Sequence, residues 1–217
     1  IRDVHVKAKK KVLFFSLEMA GQQVVDRVVA CHTRVDSRRI EHQNLTDAEE
    51  QAVNLAAGVL SAPGLWVEDE VTKLNIDGIT NHALVHQLKY GLDLIVVDYL
   101  QLVSVNRRAS LYEKTTEVSH TLKELARRLG VPLVALCQLR RLYGTAEPTL
   151  DDLRESGHIE ADADAVIFLH DPSPLPISTP HEVDLIIGKN RYGPTGRLRM
   201  MFYPAFSRFS EVLRKEC

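Results

Sequence analysis

Apolar residues come in short runs along this chain, and their spacing sets the elements it should form. Val12-Leu13-Phe14-Phe15 and Leu94-Ile95-Val96-Val97 are apolar at every position. That is the pattern of strands covered on both faces inside a parallel sheet. Leu133-Val134-Ala135-Leu136 and Ala165-Val166-Ile167-Phe168 read the same way, as further buried strands, and Leu65-Trp66-Val67 as a shorter one. Between them the spacing turns helical. Val24, Val25, Val28 and Val29 share one face of a helix over about Ala20–Thr33, and Thr46-Asp47-Ala48-Glu49 reads as a capping box opening another. A helix over Ile79–Tyr90 leads through Gly91 into the strand that ends at Asp98. One carrying Val118, Leu122, Leu125 and Leu129 is stopped by Gly130 and Pro132. Val183–Ile187 and Leu198–Phe202 flank a glycine-containing turn and form a hairpin. Strand–helix alternation closed by a hairpin predicts an α/β fold, a mostly parallel sheet flanked by helices with a C-terminal antiparallel hairpin as its edge. No repeat, low-complexity tract or composition shift marks a boundary, so residues 1–217 are expected to form a single domain.

Composition narrows the function classes. With 45% apolar and 26% charged residues in 217, the chain has the balance of a soluble domain with a sizeable core. A net charge of −2 gives no global attraction to polyanions, so any nucleic-acid contact must come from local patches. Cys31, Cys137 and Cys217 lack metal-ligand spacing and suggest no disulfide framework, which points to a reducing, cytoplasmic setting. The apolar stretch after Lys7–Lys11 ends at Phe15, too short for a signal peptide core or a membrane span.

Three polar residues follow three of the apolar strands. Asp98 ends its strand, where open α/β sheets bind ligands and where phosphoryl-transfer enzymes place an aspartate that helps hold Mg²⁺. Glu18, in Ser16-Leu17-Glu18-Met19, should emerge on the same edge. There it is either a carboxylate that orients or deprotonates an attacking water, or an acid favoured at a helix start. Gln138 is either an amide in reach of a phosphate oxygen or a solvated strand end. Lys189 and Arg191 taken alone are a charged hairpin tip. His82 and His86 have metal-ligand spacing, but no glutamate follows His82, so a metal role is not assigned.

Together, Ser16-Leu17-Glu18-Met19, Val97-Asp98-Tyr99-Leu100-Gln101-Leu102, Asp152-Leu153-Arg154-Glu155-Ser156-Gly157 and Gly188-Lys189-Asn190-Arg191 occur in a characteristic order. From about Lys11 to Phe209 the chain resembles the C-terminal, RecA-like motor domain of the DnaB family of replicative DNA helicases, a P-loop NTPase core. The resemblance implies ATP and Mg²⁺ as cofactors, with Glu18 activating water and Asp98 supporting Mg²⁺ through water. It implies that Gln138 couples the γ-phosphate to a DNA loop, and that Lys189 and Arg191 reach the nucleotide of a neighbouring subunit. Arg154, Glu155 and Gly157 would grip the backbone of single-stranded DNA. The implied partners are single-stranded DNA, neighbouring subunits of a homo-hexamer, primase and a helicase loader, with no membrane.

Composition alone would not suggest a DNA loop here, since Asp151–Asp164 holds one arginine among six acids. Phosphate can be gripped there partly by backbone N–H groups, which carry no base information. Glu160, Asp162 and Asp164 then serve structure, capping and subunit contacts. Arg107, Arg108, Arg140 and Arg141 on the two long loops are further DNA candidates, each equally readable as solvated surface.

One departure from the family is plain. No Gly-x-x-x-x-Gly-Lys-Ser/Thr occurs in these residues. The chain therefore reads as a motor domain cut before the Val12 strand, with a gap in the middle of its sheet. The expected function is that of an ATP-driven helicase, with this piece alone inactive. The alternatives are a non-catalytic RecA-like module binding DNA or partner subunits, and a recombinase-type ATPase.

Overall fold

Strands β1 (Val12–Ser16), β2 (Leu65–Glu68), β3 (Leu94–Asp98) and β4 (Leu133–Ala135) form one all-parallel sheet in the order β2-β1-β3-β4. The structure, a computed structural model, describes residues 1–70, 75–106, 108–139, 146–156, 158–173 and 179–212. The unbroken apolar runs of β1 and β3 are explained by cover on both sides. Leu13, Phe15, Ile95 and Val97 point into a core shared with helices α4 (Ile76–Tyr90) and α5 (Leu111–Leu129). Val12, Phe14 and Val96 point the other way, against Val24 of helix α1 (Gly21–Thr33) and Val4 of the N-terminal helical turn.

The helices start and stop where local chemistry satisfies their end groups. Helix α2 is a short turn, Ser37–Glu41, and α3 spans Asp47–Leu60 behind a complete Thr46/Glu49 capping box. A second box, Ser110/Glu113, opens α5, and Gly130 closes it at φ 65°, a left-handed value that glycine adopts without a Cβ penalty. Helix α4 begins three residues earlier than the periodicity predicts, because Asn75 accepts the Gly78 N–H and makes the glycine-containing turn helical. Two lysines of the basic N-terminal cluster are tied down: Lys11 Nζ donates to the Tyr90 carbonyl at the end of α4, and Lys10 pairs with Asp93.

Two expectations need correction. Leu133–Leu136 was expected to be a buried strand, but β4 is the sheet's edge, and Val134 and Leu136 are 51% and 43% exposed. The hairpin is also no edge of the parallel sheet. Strands β5 (Ala165–His170), β6 (His181–Asn190), β7 (Gly196–Tyr203) and β8 (Arg208–Glu211) make a separate antiparallel sheet in sequential order. Its first strand also ends in a free edge, with Ile167 and Leu169 62% and 53% exposed. The described strands thus form two separate four-stranded sheets, one ending at β4 and the other starting at β5. Short helix α6 (Ile159–Asp162) joins the second sheet to the first layer: Ile159 enters the larger core, and Ser119 Oγ on α5 donates to Asp162 at 2.8 Å. Among the described residues no helix is long and apolar enough to cross a membrane.

Candidate active site

The carboxyl ends of β1, β3 and β4 form one edge. Register pairs Ser16 with Asp98, and the Leu17 N–H donates to the Asp98 carbonyl at 2.8 Å, extending the β1–β3 ladder past Ser16. Ser16 Oγ then donates to the Met19 carbonyl at 2.6 Å, closing a tight turn. Leu17 is buried in the core, so the next side chain, Glu18, emerges exposed. Helix α1 starts just beyond and has no cap of its own. Asp69, past the end of β2, accepts the Gly21 N–H at 2.7 Å instead. A Cβ on Gly21 would lie 3.2 Å from that carboxylate, so a small residue suits this approach.

Asp98 is partly buried, and its carboxyl is held above the ordinary 3.8 first by desolvation and then by the negative charge of Glu18, with Arg27 opposing. Glu18 and Asp98 therefore lie close enough to repel. The third strand end is tied in by Gln101. Its Nε2 donates to the Gln138 carbonyl at 2.9 Å, and the Gln138 N–H donates to its Oε1 at 3.2 Å. Lys114 Nζ donates to the Gln101 carbonyl at 2.7 Å. Gln138 is thus fixed through its backbone while its side chain stays exposed. Gln101 was legible only as part of a motif; its role as clasp between two strand ends depends on a contact 37 positions along the chain.

These residues suit a divalent cation. A carboxylate raised by desolvation and by a like charge is relieved when a cation neutralises both. The fit to a triphosphate is partial, since the chain has Asp98, Glu18 and Gln138 but no glycine-rich phosphate loop with its lysine.

The structure groups the remaining predicted residues elsewhere. Lys189, near the end of β6, donates to the Glu160 carbonyl of α6. Arg191, at the start of the β6–β7 turn, donates from NH1 to Asp164 Oδ1 at 3.0 Å and from NH2 to the Ala161 carbonyl at 3.3 Å. Among the described residues none of their hydrogen bonds or ion pairs reaches Glu18, Asp98 or Gln138. Arg154 and Glu155 lie in a 3-10 helix, Leu150–Ser156, opened by Thr149, whose N–H and Oγ both donate to Asp152 at 2.7 and 3.0 Å. Buried Asp152 and Leu153 anchor that turn. Gly157, Arg107, Arg140 and Arg141 fall outside the described residues, and Arg108 is exposed. His82 and His86 both face Glu68, at 3.9 and 3.5 Å, and no group of three ligands able to hold a metal occurs among the described residues.

A family model, DnaB-like helicase C terminal domain, matches residues 1–211. The chain belongs to this family. It is 32% identical to the replicative DNA helicase DnaB of Geobacillus stearothermophilus over 99% of its length, and 37% identical to that of Haemophilus influenzae over 94%. Those alignments take in 48% and 46% of the relatives, so the chain spans about half the length of the curated proteins it matches. A solved ATPase domain superposes with a TM-score of 0.85 at 26% identity, covering 96% of this chain and 76% of that one. A DnaB-like replicative helicase studied with primase gives 0.84 at 25%, covering 96% and 52%. The RecA-like fold expected from the motifs is therefore the fold of this DnaB-family domain.

Proposed function

We propose that this chain is the motor domain of an ATP-dependent replicative DNA helicase that works as a homo-hexameric ring on single-stranded DNA. The observation that carries the reading is the convergence of Glu18 and Asp98 on one strand edge, beside the exposed Gln138, in a DnaB-family domain. Asp98 would hold Mg²⁺ through water, and the ion, when bound, supplies positive charge against the phosphates. Glu18, exposed and next to Asp98, is the group to orient and deprotonate the attacking water. Gln138 senses the γ-phosphate. Lys189 and Arg191 act in trans, which agrees with none of their hydrogen bonds or ion pairs among the described residues reaching that edge. Arg154, Glu155 and Gly157 grip the DNA backbone, in keeping with the place of Arg154 and Glu155 on a turn fixed by Asp152. A DnaB-like helicase whose structure was studied with primase supports primase as a partner, and a helicase loader is proposed beside it on the family resemblance alone.

These residues hold no glycine-rich phosphate loop. The edges at β4 and β5, with Val134, Leu136, Ile167 and Leu169 exposed, offer apolar surface on which a phosphate-loop strand and its helix would pack. The 217-residue chain then binds Mg·ATP weakly or not at all, and tight binding by calorimetry would contradict this. The decisive test uses the intact protein. Glu18→Gln should keep nucleotide binding yet lower DNA-stimulated hydrolysis by about 10²-fold or more, and Arg191→Ala should abolish unwinding of a forked duplex. Undiminished DNA-stimulated hydrolysis in both variants would rule the reading out.

A second reading is a non-catalytic module that binds DNA or subunits. It predicts no DNA-stimulated hydrolysis by the intact protein. A recombinase-type ATPase would hydrolyse ATP but leave the fork paired.

A further inference from the structure

Asp164 sits at the centre of a small charge cluster that no motif announces. It lies between α6 and β5, and its backbone carbonyl accepts the Arg191 N–H at 2.8 Å. Its Oδ1 accepts from the Arg191 guanidinium at 3.0 Å, while its Oδ2 is taken by Lys123 Nζ, from the middle of α5. The carboxyl is held below its ordinary 3.8 first by Lys123, with Arg191 and Lys189 adding to the effect. Asp164 is therefore ionised at neutral pH.

The arrangement leaves the arginine aimed yet available. A lone carboxylate beside a guanidinium tends to take it in a two-pronged pair, which occupies the fork and cancels its charge. Here Lys123 occupies one oxygen, so Arg191 is held by one prong to Asp164 and one to the Ala161 carbonyl. Of the five guanidinium N–H groups, these contacts use two. Lys123 also offsets the charge of Asp164, so the Arg191–Lys189 pair keeps a positive field toward an incoming anion.

We propose that Asp164 and Lys123 are positioning residues for Arg191. Asp164 fixes the direction of the guanidinium, and Lys123 prevents Asp164 from sequestering it. The inference rests on the reading of Arg191 as a group that reaches a neighbouring subunit's nucleotide. It predicts an unusual pattern of coupling. Asp164→Asn loosens the aim of Arg191, and Lys123→Met lets Asp164 close on it, so each alone impairs phosphoryl transfer. In the double variant there is no unshielded carboxylate left to close.

The test is steady-state, DNA-stimulated ATP hydrolysis by the intact, assembled protein, with assembly checked by mass. Asp164→Asn and Lys123→Met should each lower kcat about ten- to a hundredfold, the scale of a displaced catalytic group, with KM for ATP changed less than about twofold. The Lys123→Met/Asp164→Asn double variant should return to the level of Asp164→Asn alone, and Asp164→Glu should recover part of the loss. In an Arg191→Ala background, Asp164→Asn should cost nothing further. Multiplying losses in the double variant, or an equal loss with Arg191 absent, would mean a merely structural salt bridge and overturn the proposal. If Arg191→Ala itself left hydrolysis intact, the trans role of Arg191 would fall and this inference with it. A damaging Arg191→Ala beside a harmless Asp164→Asn would sink this inference alone.

Discussion

Replacing Gly188 with alanine probes how tightly the hairpin bearing Lys189 and Arg191 is seated on its neighbour. A Cβ on Gly188 would fall 2.5 Å from Cε2 and 3.2 Å from Cδ2 of Phe168, with a Leu150 methyl at 3.6 Å. Carbon atoms in contact prefer about 3.5–4.0 Å, so ring or strand must give by about 1 Å. Phe168 is only 4% exposed and has little room to swing away. Gly188 also sits at the ladder's irregularity, since Val166 pairs with Lys189 while Ile167 pairs with Ile187. Overpacking of this kind costs about 1–3 kcal/mol. Alanine returns about 0.5–1 kcal/mol by stiffening the unfolded chain. The net expectation is a loss of about 1–2 kcal/mol.

The assay is urea unfolding followed by circular dichroism, where the midpoint should fall with the slope unchanged. Phe168→Leu supplies the control. It weakens the fold on its own, but it removes the ring that the new methyl strikes, so Gly188→Ala added to it should cost at least about 1 kcal/mol less than in the parent. Because Lys189 follows directly, the single variant should also lose DNA-stimulated hydrolysis beyond its loss of folded protein. A destabilisation below about 0.5 kcal/mol, or strict additivity with Phe168→Leu, would refute the close-packing argument.

Asp98→Asn should abolish Mg-dependent hydrolysis yet raise stability. The folded-state value of this carboxyl lies above its unfolded one, so its contribution is largest at low pH and declines as pH rises through that window. Partial exposure limits the gain from removing the charge to about 0.5 kcal/mol, and a lower Tm for the variant at pH 7 would contradict the sign. His86 offers a pH test read by the chain's one tryptophan, whose ring is 5.3 Å away, edge-on. Burial holds His86 below 6.5 against the pull of Glu68, and its Nδ1 is buried without a hydrogen-bond partner. Its contribution to stability is therefore complete above pH 6.5 and lost as pH falls through the folded-state value. Trp66 fluorescence should titrate below pH 6.5 and cease to do so in His86→Leu; a midpoint at or above 6.5 would oppose this.

What the sequence disclosed, and what it hid, divides along the range of the interactions involved. The unbroken apolar runs Val12–Phe15 and Leu94–Val97 named the two central strands because both faces of each are covered by helices from the same chain. The caps at Thr46 and Gly130 were legible because each is settled within a few residues. Leu133–Leu136 misled for the opposite reason. Its composition matches that of β3, and whether such a strand is central or at an edge depends on a partner that the run itself does not encode. Strand β8 and the early start of α4 were missed because Arg208–Glu211 is mostly polar and Gly78 looks like a breaker. Glu18, Asp98 and Gln138 were singled out by their place at the ends of apolar runs, but the Gln101 clasp and the Lys123–Asp164 pair join residues 37 and 41 positions apart, beyond any local pattern.

The acidic stretch ahead of β5 shows how folding changes what composition implies. Read as a string, Asp151–Asp164 looks hostile to a polyanion. In the structure three of its six acids are committed elsewhere. Asp152 is buried under the Thr149 turn, and Asp162 accepts from Ser119 with His120 3.7 Å away. Asp164 is shared by Lys123 and Arg191, and Lys189 closes on the Glu160 carbonyl. Cations drawn from α5 and β6 thus offset the charge around the turn that carries Arg154. Backbone N–H groups carry no net charge of their own, so a loop that grips phosphate through them does not require a net basic stem. Lys189 and Arg191 are held in turn by the Glu160 and Ala161 carbonyls of α6.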